Sequence, residues 1–127
     1  MEMRVMKLCE LNKKLQWEDF HDASLLLLSL QFLDKESFLF NSNIVMEILT
    51  SFKDNPEKPI IINCLFKQVK NIEINATMDD KNFSDSSTIY SLAENNGEVE
   101  LISVRGWKIK FFTSETEVSL YPVLSTN

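Results

Sequence analysis

"LQWEDFHDASLLLLSL", residues 15–30, places the chain's only histidine among carboxylates and runs straight into a block of leucines. How it is read decides the fold. Glu18, Asp19, His21 and Asp22 are either a set of metal ligands or a polar turn that opens a buried strand. Asp19 and His21 fall two apart, on one face of an extended chain, but a closed site needs further donors and the chain has no second histidine. Nothing resembles the Asp-x-Asp-x-Asp-Gly calcium loop either. No metal is therefore expected. The turn explains the same residues better, with Asp19 and Asp22 bonding nearby amides, His21 bridging backbone groups, and Trp17 and Phe20 packing inward. Trp17, Phe20, His21 and Asp22 are read as a structural corner, and His21→Ala or Asp22→Ala is expected to cost ~1–3 kcal/mol. "ASLLLLSLQF" (23–32) then suggests a strand covered on both faces, with Leu25 to Leu30 in the core and a buried helix as the alternative.

Working outward, Val5, Leu8, Cys9, Asn12 and Leu15 recur at helical spacing and predict a short amphipathic helix. "ESFLF", "NSN" and "IVMEILTSF" (36–52) read as strand, turn and strand. "DNPEKP" (54–59) reads as a loop, its two prolines unable to donate to a sheet. "IIINCLF" (60–66) and "KNIEINAT" (70–77) are β-branched strands, the second alternating at Ile72 and Ile74. "SDSSTIYSLAENNG" (84–97) reads as a second short helix, capped by Asp85 or Ser86, with Ile89, Leu92 and Ala93 on one face. "EVELISV", "WKIKFFT" and "EVSLYPV" close the chain as an antiparallel meander of three strands turned at "RG" and "SE". In the middle one, Trp107, Ile109 and Phe111 face one way and Lys108, Lys110 and Phe112 the other. The connections are too short for parallel crossovers. The expected class is α+β, predominantly antiparallel β-sheet with one or two short helices, in a single domain over residues 1–127.

Composition bounds the chemistry. The 127 residues are 44% hydrophobic and 25% charged, ordinary for one globular domain. No apolar run reaches the ~20 residues of a membrane helix, and the N-terminus has no secretory h-region. A cytoplasmic protein without membrane contact is the expectation. Cys9 and Cys64 form no Cys-x-x-Cys pair and are read as small buried hydrophobes rather than a disulfide. Two glycines exclude glycine-rich phosphate loops. His21 is the only imidazole that could serve a serine or cysteine nucleophile, no serine sits in Gly-x-Ser-x-Gly, and Cys64 reads as core, so no enzyme and no cofactor are expected.

Charge is unevenly spread. The net charge is −6, and residues 71–100 hold Glu73, Asp79, Asp80, Asp85, Glu94, Glu98 and Glu100 against Lys81 alone. Nucleic-acid binding needs the opposite sign along a contact face. An acidic segment is either a solvated loop or a surface for a basic protein, with Phe83 and Tyr90 as aromatic anchors within it.

Several short motifs resemble a known group. "WEDFHDASLLLLSLQF" (17–32), with its Trp, its aromatic-His-Asp-Ala/Ser turn and its apolar strand, is similar to the start of immunity protein 50-like families. "LFKQVKNIEI", carrying Phe66, Val69, Ile72 and Ile74, "SSTIYSL" and a closing hairpin are similar as well, so the likeness covers residues 17–110. "DNPEKP" and the acidic window have no counterpart in it. Such proteins are encoded beside polymorphic or contact-dependent inhibition toxins. The resemblance implies an immunity protein that binds and neutralises a cognate toxin C-terminal domain, a nuclease of basic character, by blocking its active or substrate-binding surface. Glu73, Asp79, Asp80, Phe83, Asp85, Tyr90, Glu94, Glu98 and Glu100 are the candidate partner-binding residues. The competing expectations are a small-molecule-binding α+β domain with a pocket near Asp19, His21 and Asp22, or a structural interaction subunit that uses Phe112 and an open sheet edge.

Overall fold

A computed structural model describes residues 3–16, 20–32, 42–75 and 88–123. Among the described residues, nine strands and one helix follow in the order β1 (Met3–Val5), α1 (Leu8–Leu15), β2 (Ser24–Phe32), β3 (Ser42–Phe52), β4 (Asn55–Lys67), β5 (Lys70–Asn75), β6 (Ile89–Asn95), β7 (Glu98–Ser103), β8 (Lys108–Phe112) and β9 (Glu115–Pro122). They form two sheets, A with strand order β1-β9-β4-β3-β2 and B with order β5-β8-β7-β6. Every strand pair is antiparallel. The described residues are mostly antiparallel sheet with a single short helix, which is the α+β class expected. No described helix is long and apolar enough to cross a membrane.

The core lies between the sheets. Ile44, Met46 and Ile48 of β3 alternate inward with Ile60, Ile62, Cys64 and Phe66 of β4, and Leu92, Val99, Leu101, Ile109 and Phe111 come from sheet B. Phe66 and Phe111 meet edge to face at 5.2 Å across the gap, a favoured aromatic geometry. Helix α1 closes the core with Leu8, Leu11 and Leu15, all fully buried. It ends at Gln16, left-handed at φ 68°, whose N–H donates to the Asn12 carbonyl.

The two sheets share a bent ribbon. β4 pairs with β9 as far as Lys67↔Glu115, and beyond the bend β5 pairs with β8 from Lys70↔Phe112. Both segments of the ribbon, β4–β5 and β8–β9, change sheet at the same place. There Ser114 N–H and the Thr113 hydroxyl both donate to the Lys67 carbonyl, at 3.1 and 2.8 Å. Gly97, at φ +82°, lies against this crossing, where a Cβ would stand 3.3 Å from the Thr113 carbonyl oxygen. A strand that switches sheets at a bend is a normal way to turn a sandwich corner.

Several expectations change. The final three strands are not one meander, because β9 leaves β8 and joins sheet A between β1 and β4. Within 84–97, the described residues form strand β6 rather than a helix; residues 84–87, with the proposed cap Asp85 or Ser86, lie outside the description. The cause is a bulge at Tyr90, which puts Ile89 and Leu92 on one face though they are three apart. A second bulge, at Leu26, does the same for Leu25 and Leu28 in β2. β2 is the strand expected, but it ends sheet A instead of lying covered on both faces, and Leu26, Leu27 and Leu30 are exposed. "DNPEKP" is a turn at Lys53–Asp54 followed by the exposed, extended start of β4, a strand beginning where proline is tolerated. Ser42 and Asn43 belong to β3 rather than to a turn, and "ESFLF" lies outside the described residues. Val5 sits in β1, ahead of the helix. Cys64 is buried as expected, but Cys9 is exposed on the outer side of α1.

Candidate functional site

The "FHDAS" turn does form a corner, and it joins the helix to both sheets. Phe20 is fully buried at φ 56°, a conformation uncommon for a bulky residue. Its amide donates to Asn12 Oδ1 at 3.1 Å, so the buried polar residue of α1 fixes the turn. Ala23 N–H closes the turn on the Phe20 carbonyl at 3.1 Å. Asp22, also left-handed at φ 68°, donates its amide to the Ile89 carbonyl, and Ile89 N–H returns to the Ala23 carbonyl. Ser24 bridges to Thr88, whose carbonyl accepts from Val104 N–H at 2.9 Å. The start of β6 is thus clamped from both sides.

Tyr90 is the bulged residue of that strand, and its side chain is 55% exposed. A bulge re-aims the extra side chain out of the pleat. His21 Nδ1 lies 2.9 Å from the Tyr90 carbonyl oxygen, which can only accept, so Nδ1 carries the proton of that bond. The imidazole stands edge to face with the Tyr90 ring, centroids 5.5 Å apart at 82°. Asp22 Oδ1 lies 3.6 Å from His21 Nε2, with the two side chains 74% and 51% exposed. Val104 is exposed on the neighbouring turn. Aromatic, imidazole and carboxylate therefore share one solvent-facing spot on a rigid backbone.

This divides the expected corner. Phe20 is the inward anchor, whereas His21 and Asp22 point to solvent and have no buried partners to lose. Trp17 and Asp19, like Glu18, lie outside the described residues. Among the described residues, no group of three or more His, Cys, Asp or Glu side chains is placed to hold a metal ion.

The acidic window divides too. Glu94 sits on the core side of β6, opposite Val99, and its Oε1 accepts the Leu8 amide at 3.0 Å. Lys7, the N-cap residue of α1, makes no side-chain cap bond, so Glu94 supplies a cap from far along the chain. It is a structural residue rather than a partner-facing one. Glu98 and Glu100 do face outward on sheet B, but they pair diagonally with Lys110 at 3.6 Å and Lys108 at 3.8 Å. Glu73 stands directly across from Lys110 on the other side, and Lys70 across from Phe112. The described outer face of sheet B carries Glu73, Glu98 and Glu100 against Lys70, Lys108 and Lys110, so it is neutral rather than acidic. Asp79, Asp80, Phe83 and Asp85 lie outside the described residues. Of the five described candidates, Tyr90 is the exposed aromatic and the one the geometry presents as an anchor.

One buried group needs a physical account. Cys64 is fully buried, and its thiol is pushed up to about 12, first by burial and then by the Glu94 carboxylate. It is held as an inert thiol.

No family model matches the chain, no curated protein matches it, and no solved structure matches it.

Proposed function

We propose that the chain is a protein-binding domain of the immunity type, which neutralises a cognate toxin domain by covering its active or substrate-binding surface. The observation that carries this reading is the Tyr90–His21–Asp22 cluster, an exposed aromatic pair beside a carboxylate on backbone fixed by several hydrogen bonds. Tyrosine anchors that are rigid before binding lose little conformational freedom on association, and such residues dominate interface energetics. Phe20 to Ser24 are the most specific part of the likeness to immunity protein 50-like families; that likeness implies a structural corner there, and the binding role of its exposed face rests on the geometry alone. The acidic-face mechanism is narrower than the sequence suggested. With Glu98 and Glu100 engaged by lysines and Glu94 capping the helix, Asp22 is the carboxylate beside the Tyr90–His21 pair that would meet a basic partner residue there.

The test is protection of cells that express the toxin domain encoded beside this chain. Tyr90→Ala is expected to abolish protection and weaken binding at least tenfold, the behaviour of an interface anchor. Asp22→Asn is expected to slow association and reduce its salt dependence. Full protection by a folded Tyr90→Ala, His21→Ala double variant overturns this placement. A toxin domain that this chain neither binds nor restrains overturns the function.

A further inference from the structure

The bond between His21 and Tyr90 decides what the second imidazole nitrogen can do. Nδ1 spends its proton on the Tyr90 carbonyl, 2.9 Å away. In a neutral imidazole that leaves Nε2 as an acceptor with no proton. Nε2 stands 3.6 Å from Asp22 Oδ1, beyond hydrogen-bond distance, and a carboxylate can only accept. Two acceptors therefore border one gap, on side chains 51 and 74% exposed. The exposed Tyr90 ring stands beside it, 5.5 Å from the imidazole. The backbone under the gap is fixed, since Asp22 N–H bonds the Ile89 carbonyl and Ile89 N–H the Ala23 carbonyl.

With the binding role given above to the Tyr90 cluster as its premise, we propose that this gap seats an arginine of the partner. Its guanidinium donates to His21 Nε2 and Asp22 Oδ1 together. Chemistry selects the occupant, because a gap lined by two acceptors and one carboxylate takes a cationic donor. An anion is repelled there, and an apolar side chain leaves both acceptors without a partner. Guanidinium suits the gap better than ammonium. Its donors lie in a fixed planar fork, and its face stacks on an aromatic ring such as that of Tyr90.

Protonation closes the seat. A proton on Nε2 turns the acceptor into a donor facing Asp22, so the pair satisfies itself and the imidazolium repels guanidinium. Binding to the neutral imidazole thus weakens as pH falls, by at most ~tenfold per pH unit for one proton. The charged and titratable groups described on the elements around the imidazole are Asp22 on its own turn, Tyr90 on β6, and Arg105 beside Val104 in the turn after β7. Of these side-chain types, only imidazole ordinarily changes charge between ~pH 5 and ~8.

The experiment is calorimetric titration of the full chain with the toxin domain encoded beside it, from about pH 7.5 to about pH 5.5. The unsubstituted chain is expected to lose affinity at least ~fivefold over that range. His21→Gln keeps a neutral acceptor that takes no proton, and is expected to remove the loss. Asp22→Asn, at a left-handed position that asparagine also tolerates, is expected to weaken binding at least ~tenfold at the higher pH. One toxin arginine changed to lysine is expected to couple to His21 in a double-mutant cycle. Affinity that is level with pH, a loss that His21→Gln retains, or no arginine coupled to His21 overturns the seat and leaves the binding role of the cluster standing. Nitrogen NMR of the chain alone is the independent measurement. An Nε2–H tautomer of His21 at about pH 7.5 overturns the seat whatever the toxin does. A toxin domain that the unsubstituted chain does not bind overturns both this inference and its premise.

Discussion

Phe20 and His21 are neighbours with opposite fates. Phe20 fills the core while its amide is held by Asn12, so Phe20→Ala is expected to cost ~3–5 kcal/mol, the usual range for removing a buried aromatic. His21 is half exposed, and water replaces its bond to the Tyr90 carbonyl, so His21→Ala is expected to cost under ~1 kcal/mol rather than the larger loss a buried corner implies. Urea melts of the two variants check this, and equal losses contradict the exposed placement of the imidazole. Thr116 gives the reverse case. It is 3% exposed and its Oγ1 has no hydrogen-bond partner among the described residues, which leaves the hydroxyl desolvated. Thr116→Val keeps the shape and removes the orphan, and is expected to raise stability by ~1 kcal/mol in the same melts. Which residue of "FHDAS" faces inward was partly legible, since an aromatic beside polar turn formers belongs in the core. The exposure of His21 was not, because it depends on where β6 arrives, and β6 is far away in sequence.

Helix α1 depends on a cap that comes from another element. Glu94 accepts the Leu8 amide and places a negative charge at the positive end of the helix. Glu94→Ala is expected to cost ~1–2 kcal/mol, and Glu94→Gln less, because the amide oxygen still accepts. The same carboxylate faces Cys64. At pH 8 a thiol reagent is expected to modify Cys9 quickly and Cys64 only in denaturant. Cys64 is protonated in the folded state up to about 12 but ionises near its ordinary 9.0 when unfolded. Its contribution to stability is therefore full below pH 9 and is lost as pH rises from about 9 to about 12, by at most ~1.4 kcal/mol per pH unit. Comparing the alkaline slope with that of Cys64→Ala isolates this effect, and identical slopes contradict it. At this scale, alternation revealed β7 and β8, whose inward residues fall every second position, and β-branched content revealed β4. Alternation failed at Tyr90 and Leu26. A bulge inserts one residue, and the resulting i, i+3 spacing of Ile89 with Leu92 imitates a helix face.

At the scale of the molecule, nothing local announces that β9 abandons β8. The crossing is fixed by the Lys67 carbonyl, Thr113 and Ser114, a contact between segments far apart in the chain. Hydrophobic patterning alone does not distinguish a strand of one sheet from a strand of the other, because both bury alternate residues. The charge balance of sheet B was also illegible, since the lysines that neutralise Glu98 and Glu100 follow them on the next strand and pair on the diagonal. The shared ribbon, the corner and α1 tie both sheets to one core, so the chain is expected to unfold in a single transition. Far-UV circular dichroism and the fluorescence of a Trp17→Phe variant, which reports on Trp107 beside β8, are expected to give the same midpoint. Separate midpoints mean that the sheets melt independently. The position of β9 has one more consequence. Among the described residues β1 pairs with β9 alone, Met3 facing Ser119, so the first strand is made more than a hundred residues before that partner. At ~5–20 residues per second of translation, β1 waits on the order of ten seconds while the nascent chain grows. β4 lacks β9 on one side over the same interval, so sheet A is completed only late in synthesis. A chain cut off after β8 would have all four strands of sheet B but would leave β1 unpaired and the β9-facing side of β4 open, which makes that state the one at which a chaperone has most to hold.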